Sequence, residues 1–217
     1  MEAFIQNHQF NYIKQQVQSV VHGHSTANDK GVLAAVKSMA LERSTQLFND
    51  INDEQRQLLE PIGSIVHKEE GDQFLSTLKP YVIPFQKVSA QTLKKLFPKV
   101  KKLKTPSLDD VDWKSISYLG WNDSGSEKKF LVVDDLEKGK LVGLQGTYKP
   151  LPNQKGICVI CNHFEEVGLF VAHVKGSAQG MFTRKGNYIC QNTEACNERI
   201  TSLDKLHDFV NRVQQKE

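Results

Sequence analysis

Through the first 80 residues, apolar side chains recur every three or four positions. Phe10, Ile13, Val17 and Val20 or Val21 share one face of a first helix, which His22-Gly23-His24 ends. A polar break from Ser25 to Asp29 supplies Ser25, Thr26 or Asn28 as N-caps for a second helix. Its stripe is Val32 or Leu33, Val36, Ala40, Leu47 and Ile51, which makes it the longest element. A third helix starts near Asn52-Asp53, where acids suit the helix dipole, and carries Leu58, Leu59, Ile62, Ile65 and Val66, with Pro61 imposing a kink or a break. Phe74, Leu75 and Leu78 form a fourth stripe that closes before Pro80. Four one-sided helices predict a small bundle.

The pattern changes at Pro80-Tyr81-Val82-Ile83-Pro84, where two prolines favour an extended connection. A short helix follows from Ser89, and then β-rich runs: Ile116 to Trp121, Phe130 to Val133 and Leu141 to Leu144, with a hairpin turn at Glu137-Lys138-Gly139. These predict a small antiparallel sheet from Ser115 to Tyr148. Val167 to Val174 and Met181 to Ile189 read as two further strands joined by a turn at Gly176 to Gly180. A helix is expected after Asn192-Thr193-Glu194, and a last amphipathic one with Leu203, Leu206, Phe209, Val210 and Val213. The fold class is α+β: a helical bundle over residues 1–82, then an α/β domain over 83–217 that includes a C-terminal module from about residue 150.

Four cysteines give that module its chemistry. All lie in the last 60 residues, as Cys158-x2-Cys161, 28 intervening residues, and Cys190-x5-Cys196. Two thiolates on a tight knuckle and two more returned by a hairpin suit one tetrahedral Zn²⁺. Knuckle, hairpin and helix in that order describe a treble-clef zinc finger. Four protein ligands leave no open position, so one structural ion is expected rather than a hydrolytic centre. Two disulfides are the alternative, and His163 could replace one thiolate. The start MEAFIQNHQF has no basic residues leading into an apolar run, so a reducing, cytoplasmic setting is expected.

Composition adds exclusions. At 39% hydrophobic and 24% charged residues the chain reads as globular, and no apolar run approaches the roughly 20 residues of a membrane helix. Net charge is only +3, yet Lys94, Lys95, Lys99, Lys101, Lys102 and Lys104 place six lysines in eleven residues. There is no phosphate-binding loop, nucleophile elbow or zincin helix. Asp134 and Asp135 point to opposite faces of a strand, and the histidines lack ligand spacing, so no enzyme activity or small-molecule substrate is expected.

The helical first domain, the Pro-x-x-x-Pro joint, the knuckle Gly156-Ile-Cys-Val-Ile-Cys161 and the return Arg184-Lys-Gly-Asn-Tyr-Ile-Cys190-x5-Cys196 resemble the fusidic-acid-resistance, elongation-factor-G-binding family (FusB type) across essentially the whole chain. The resemblance implies a four-cysteine zinc finger at Cys158, Cys161, Cys190 and Cys196. It also implies that the C-terminal domain binds the C-terminal domains of elongation factor G and promotes its release from a ribosome trapped by fusidic acid, without modifying the drug. A monomer acting indirectly on the ribosome is expected. Tyr and Arg are enriched at binding hot spots, so Phe182, Arg184, Lys185 and Tyr188 on the return strand are candidate contact residues, Arg184 and Lys185 at a turn beside Gly186-Asn187, with Phe209 a further one. The alternative is a zinc-containing RNA- or ribosome-binding protein using the lysine run, and a metal-dependent enzyme is a third reading.

Overall fold

Helix starts in this chain are set by side chains that reach back to bare backbone N–H groups. The computed structural model describes residues 1–123, 125–135, 139–175 and 182–214, with the backbone alone for 173–175 and 182–183. The chain divides into two compact units, Met1–Ile83 and Pro84–Glu217. Among the described residues no helix is long and apolar enough to cross a membrane.

The first unit holds α1 (Asn7–Thr26), α2 (Lys30–Thr45), α3 (Asp53–Leu59) and α4 (Lys68–Leu78). Asn52 and Gln55 cap α3 reciprocally at 2.9 and 3.1 Å. Glu70 reaches back to Val66 N at 2.7 Å and His67 N at 3.3 Å, and these two donors hold its carboxyl below the usual range. The inward stripes meet in a core of Ile13, Val17, Val20, Ala40, Leu59, Ile62, Ile65, Phe74, Leu75 and Leu78, each worth about 1.5–3 kcal/mol when fully buried for the larger side chains. The amino-terminal segment closes the unit: Phe4 N and Ile5 N donate to Tyr81 O, and Ile83 N donates to Ile5 O at 2.8 Å.

Three details differ from the sequence expectation. The first helix does not stop at His22-Gly23-His24 but runs to Thr26, because Gly23 is where α2 packs against α1; a Cβ there would stand 3.4 Å from Val36 Cγ1. The cap of α2 is Asp29, whose carboxylate accepts from Gly31 N and Val32 N at 2.6 and 3.1 Å, while Ser25 and Thr26 donate their hydroxyls to His22 O. The longest helix is α1, of 20 residues, and α2 stops at Thr45 after 16, leaving Leu47 and Ile51 to pack on the core from the loop beyond. Pro61 ends α3 outright, and a 3-10 turn, Glu60–Ser64, follows.

The second unit is built on one antiparallel sheet of five strands in chain order: β1 (Tyr118–Asp123), β2 (Lys128–Asp135), β3 (Lys140–Ile157), β4 (Phe164–Lys175) and β5 (Phe182–Cys190). The expected turns at Glu137-Lys138 and at Gly176 to Gly180, with Met181, lie outside the described residues. Alternation assigns the two faces. Leu119, Trp121, Phe130 and Val132 face a layer made of α5 (Ala90–Leu96) and the segment after it. Gly143 lets Phe97 sit directly on the sheet, since a Cβ there would lie 2.9 Å from the Phe97 ring. Tyr118, Leu131, Val133, Leu144 and Tyr148 face the cysteines, α6 (Thr193–Arg199) and α7 (Asp204–Gln214).

The sequence reading ends a first small sheet at Tyr148 and begins the terminal module of the same domain at about residue 150. The structure joins them, because β3 runs through Pro150 and Pro152 without ending. Beyond Thr147 the strand has left β2 and pairs only with β4, so on one side it is an edge and a missing proline N–H costs no ladder bond there. A register shift between Pro150 and Lys155, with Asn153 at φ 58°, absorbs the irregularity.

Candidate metal centre and the surface around it

Cys158 and Cys161 lie on the knuckle after β3, Cys190 closes β5, and Cys196 sits early in α6, whose start Asn192 caps by accepting from Ala195 N at 3.0 Å. All four are buried, with their sulfurs within 4.8 Å of one another. Cys158 Sγ is 3.9 Å from Cys196 Sγ, and Cys161 Sγ is 3.6 Å from Cys190 Sγ. A disulfide needs about 2.0 Å, and all four thiols are free. Metal–sulfur bonds of about 2.3 Å in a tetrahedron place sulfurs about 3.8 Å apart. The sulfur cage therefore fits one four-coordinate soft cation.

The backbone prepares this geometry. Ile160 N and Cys190 N each donate to Cys158 Sγ at 3.4 Å. Asn162 N donates to Cys158 O at 2.8 Å, with Asn162 at φ 57°, a left-handed turn that asparagine tolerates. His163 stands outside the sulfur set: its Nδ1 donates to Cys161 O at 2.7 Å, which orients the knuckle. Hydrogen bonds from the Cys161, Cys190 and Cys196 thiols hold Cys158 far below the ordinary thiol range, and the same bonding pushes Cys196 far above it. Sulfurs this close ionise together only when a cation takes up their charge.

Two further groups face the thiols. Lys129 is fully buried; its Nζ donates to Cys190 O at 3.3 Å and Gln191 O at 3.2 Å, and stands 4.7 Å from the Tyr148 ring centre. Burial pulls its pKa down to about 8, against the upward pull of the cysteine thiolates. The Tyr118 hydroxyl is kept protonated by burial and by the thiolates, and hydrogen-bonds the Cys196 side chain. Neither stands out in the sequence; the available signal is that Lys129 alternates with Leu131 and Val133 on the inward face of β2. Helix α6 is fastened by Asn197, which accepts from Ser117 N at 2.7 Å and Tyr118 N at 3.2 Å and donates to Tyr118 O at 3.0 Å. Arg199 adds an ion pair with Glu165 at 2.8 Å.

This sulfur cage is matched by a family model. The model described as FBP C-terminal treble-clef zinc-finger covers residues 96–216, and that described as elongation factor G-binding protein, N-terminal, covers residues 4–86. The chain belongs to the elongation-factor-G-binding, fusidic-acid-resistance family. A solved structure of the fusidic acid resistance protein FusC is similar, with a TM-score of 0.83 and 32% identity over 97% of each chain. A comparison with curated proteins gives no match.

In this member of the family, Arg184, Lys185 and Tyr188 lie on β5. The strand continues through Gly186-Asn187 without turning, so Arg184 and Lys185 are mid-strand, opposite His173 and Ala172, rather than at the expected turn. Arg184 is exposed, Lys185 half-buried, and Tyr188 is 50% exposed. Phe209 has no exposed surface and stacks edge-on against Phe170 at 5.7 Å, because α7 packs it onto the cysteine face of the sheet. The side chain of Phe182 lies outside the described residues. Sequence reasoning missed Ile157 and Phe164, which are 65% and 66% exposed. They pair across β3 and β4 immediately before and after the knuckle. Their apolar character reads as core in a sequence, and only the geometry reveals their exposure.

Proposed function

We propose that this chain holds one structural Zn²⁺ through Cys158, Cys161, Cys190 and Cys196 and uses the surface around that knuckle to bind elongation factor G, hastening its release from the ribosome. One observation carries the reading. Among the described residues of the second unit, the large hydrophobic side chains left exposed are Ile157, Phe164 and Tyr188. All three adjoin the knuckle: Ile157 precedes Cys158, Phe164 pairs with Ile157, and Tyr188 O accepts from Val159 N at 2.9 Å. Exposed apolar side chains of this size concentrated at one place mark interaction sites. Arg184 on the same strand supplies charge, and Phe209 supports the sheet from behind. The family descriptions and the similarity to FusC name the partner class and the resistance setting.

When bound, zinc supplies rigidity and no reaction, since all four positions are filled by thiolates. The residues around it bind and orient the partner, with contacts to its C-terminal domains. Release follows from differential binding: a preference of about 1.4 kcal/mol for the released conformation shifts the equilibrium tenfold. The drug is left unmodified. The test is calorimetry with purified elongation factor G. Phe164→Ala combined with Tyr188→Ala should weaken binding by at least about tenfold, with metal content and melting temperature unchanged, and should slow release of the factor from fusidic-acid-stalled ribosomes. Unchanged affinity would move the contact surface away from the knuckle.

A further inference from the structure

The layer that covers Leu119, Trp121, Phe130 and Val132 carries a second surface of different chemistry. From Pro84 to Leu108 there is no Asp or Glu, while Lys87, Lys94, Lys95, Lys99, Lys101, Lys102 and Lys104 contribute +7. Formal charge over the whole chain is +3, so everything outside this stretch sums to −4. All seven lysines are exposed. Every large apolar residue between them is turned the other way: Leu93 and Phe97 are buried, and Leu96, Val100 and Leu103 pack against the cluster of Leu119, Trp121, Phe130 and Val132.

This array is held in place rather than loosely displayed. Ser89 caps α5, accepting from Thr92 N at 3.1 Å, and Lys94 and Lys95 lie in the last turn of α5, where the dipole favours cations. Phe97 is wedged edge-on against Trp121 and Phe130, at 5.8 and 5.1 Å. At the far end Trp121 Nε1 donates to Lys104 O at 2.9 Å. Lys104 also approaches Asp123 at 3.9 Å, an exposed contact of little energy. Among the described residues, no ion pair involves Lys94, Lys95, Lys99, Lys101 or Lys102.

We propose that this lysine face binds RNA through its phosphate backbone, independently of sequence and independently of the knuckle surface. Lysine is a point charge that suits phosphate without imposing a planar geometry. The stretch contains no arginine, and its aromatic residues, Phe85 and Phe97, are buried, so it lacks both the stacking platforms of base-specific readers and the exposed anchors of a protein interface. A pure array of ammonium groups on an anchored scaffold answers to repeated phosphates, whose affinity comes from counterion release. An acidic protein segment is the competing polyanion, and it would lack an apolar anchor to bury here.

The experiment uses the full chain and a fluorescein-labelled 20-base-pair RNA duplex, followed by anisotropy across a salt series. The wild type should bind with affinity that falls steeply with salt. A variant with Lys94, Lys95, Lys99, Lys101 and Lys102 all changed to Gln should bind at least about tenfold more weakly, with the log–log salt slope reduced by about three or more, near one unit per lost phosphate contact. Metal content and melting temperature serve as folding controls, and Tyr188→Ala should leave RNA binding unchanged. Wild-type affinity in the five-lysine variant would overturn the proposal, as would an undiminished salt slope. Tighter binding of a 20-residue polyglutamate peptide than of the duplex would overturn it in favour of an acidic protein partner.

Discussion

A lysine with no solvent exposure is costly unless its charge is answered. Lys129 is answered twice, by the carbonyls of Cys190 and Gln191 and by the field of the nearby thiolates. A Zn²⁺ bound to four thiolates keeps a net charge of −2, so a buried ammonium group beside it offsets part of that excess. Lys129→Met preserves the apolar stem but removes the charge and both donated bonds. Hydrogen bonds from charged groups are worth about 1.5–3 kcal/mol each, so the second unit should lose at least about 2 kcal/mol of stability. Both tryptophans, Trp113 and Trp121, belong to the second unit, so intrinsic fluorescence during denaturant unfolding reads this loss selectively. The variant should also surrender its metal to a chelator faster than the wild type. Wild-type stability together with wild-type metal retention would show that Lys129 is a packing residue whose charge is irrelevant.

Between elements, the contact of α6 with β1 depends on one side chain. It rests on Asn197, whose amide occupies the backbone groups of Ser117 and Tyr118 that no neighbouring strand pairs, since β1 lies at the edge of the sheet. Asn197→Ala strands these buried groups at about 1–3 kcal/mol each. A loss of about 3 kcal/mol is expected in thermal or denaturant unfolding, and Asn197→Asp, which keeps the acceptor and loses the donor, should fall between. The sequence could not show this contact, because an asparagine after a cysteine carries no periodic signal. What periodicity can show it showed: the four stripes of the bundle, the alternation in β1 and β2 and the amphipathic α7 are each visible because burial on one face forces the pattern. The four cysteines were legible as a set because a tight x2 knuckle and a second pair returned by a hairpin suit a single tetrahedral ion. Lost were features that depend on partners distant in sequence: the continuation of β3 through two prolines, and the exposure of Ile157 and Phe164.

At the scale of the molecule, the cysteines belong to the largest apolar cluster of the second unit, together with Tyr118, Leu131, Val133, Leu144 and Tyr148 from the first three strands. A metal confined to a separate terminal module could be lost with only that module unfolding. Here β3 is a single strand from Lys140 to Ile157, shared between the early strands and the knuckle, so disorder at the sulfur cage reaches back into the sheet. Structural zinc in small fingers contributes on the order of 10–16 kcal/mol of apparent binding energy at neutral pH, comparable with the whole stability of a domain. Cys190→Ser, or chelation of the wild type, should therefore remove hydrogen-exchange protection from Tyr118 to Tyr148 as well as from the residues beyond. The first unit keeps its own core of Ile13, Val17, Leu59, Ile62, Phe74 and Leu78 and should retain its protection. Hydrogen exchange read by mass spectrometry separates the outcomes. Loss confined to residues after Tyr148 would mean that the early strands form an independent folding unit and that the shared cluster does not couple them to the metal.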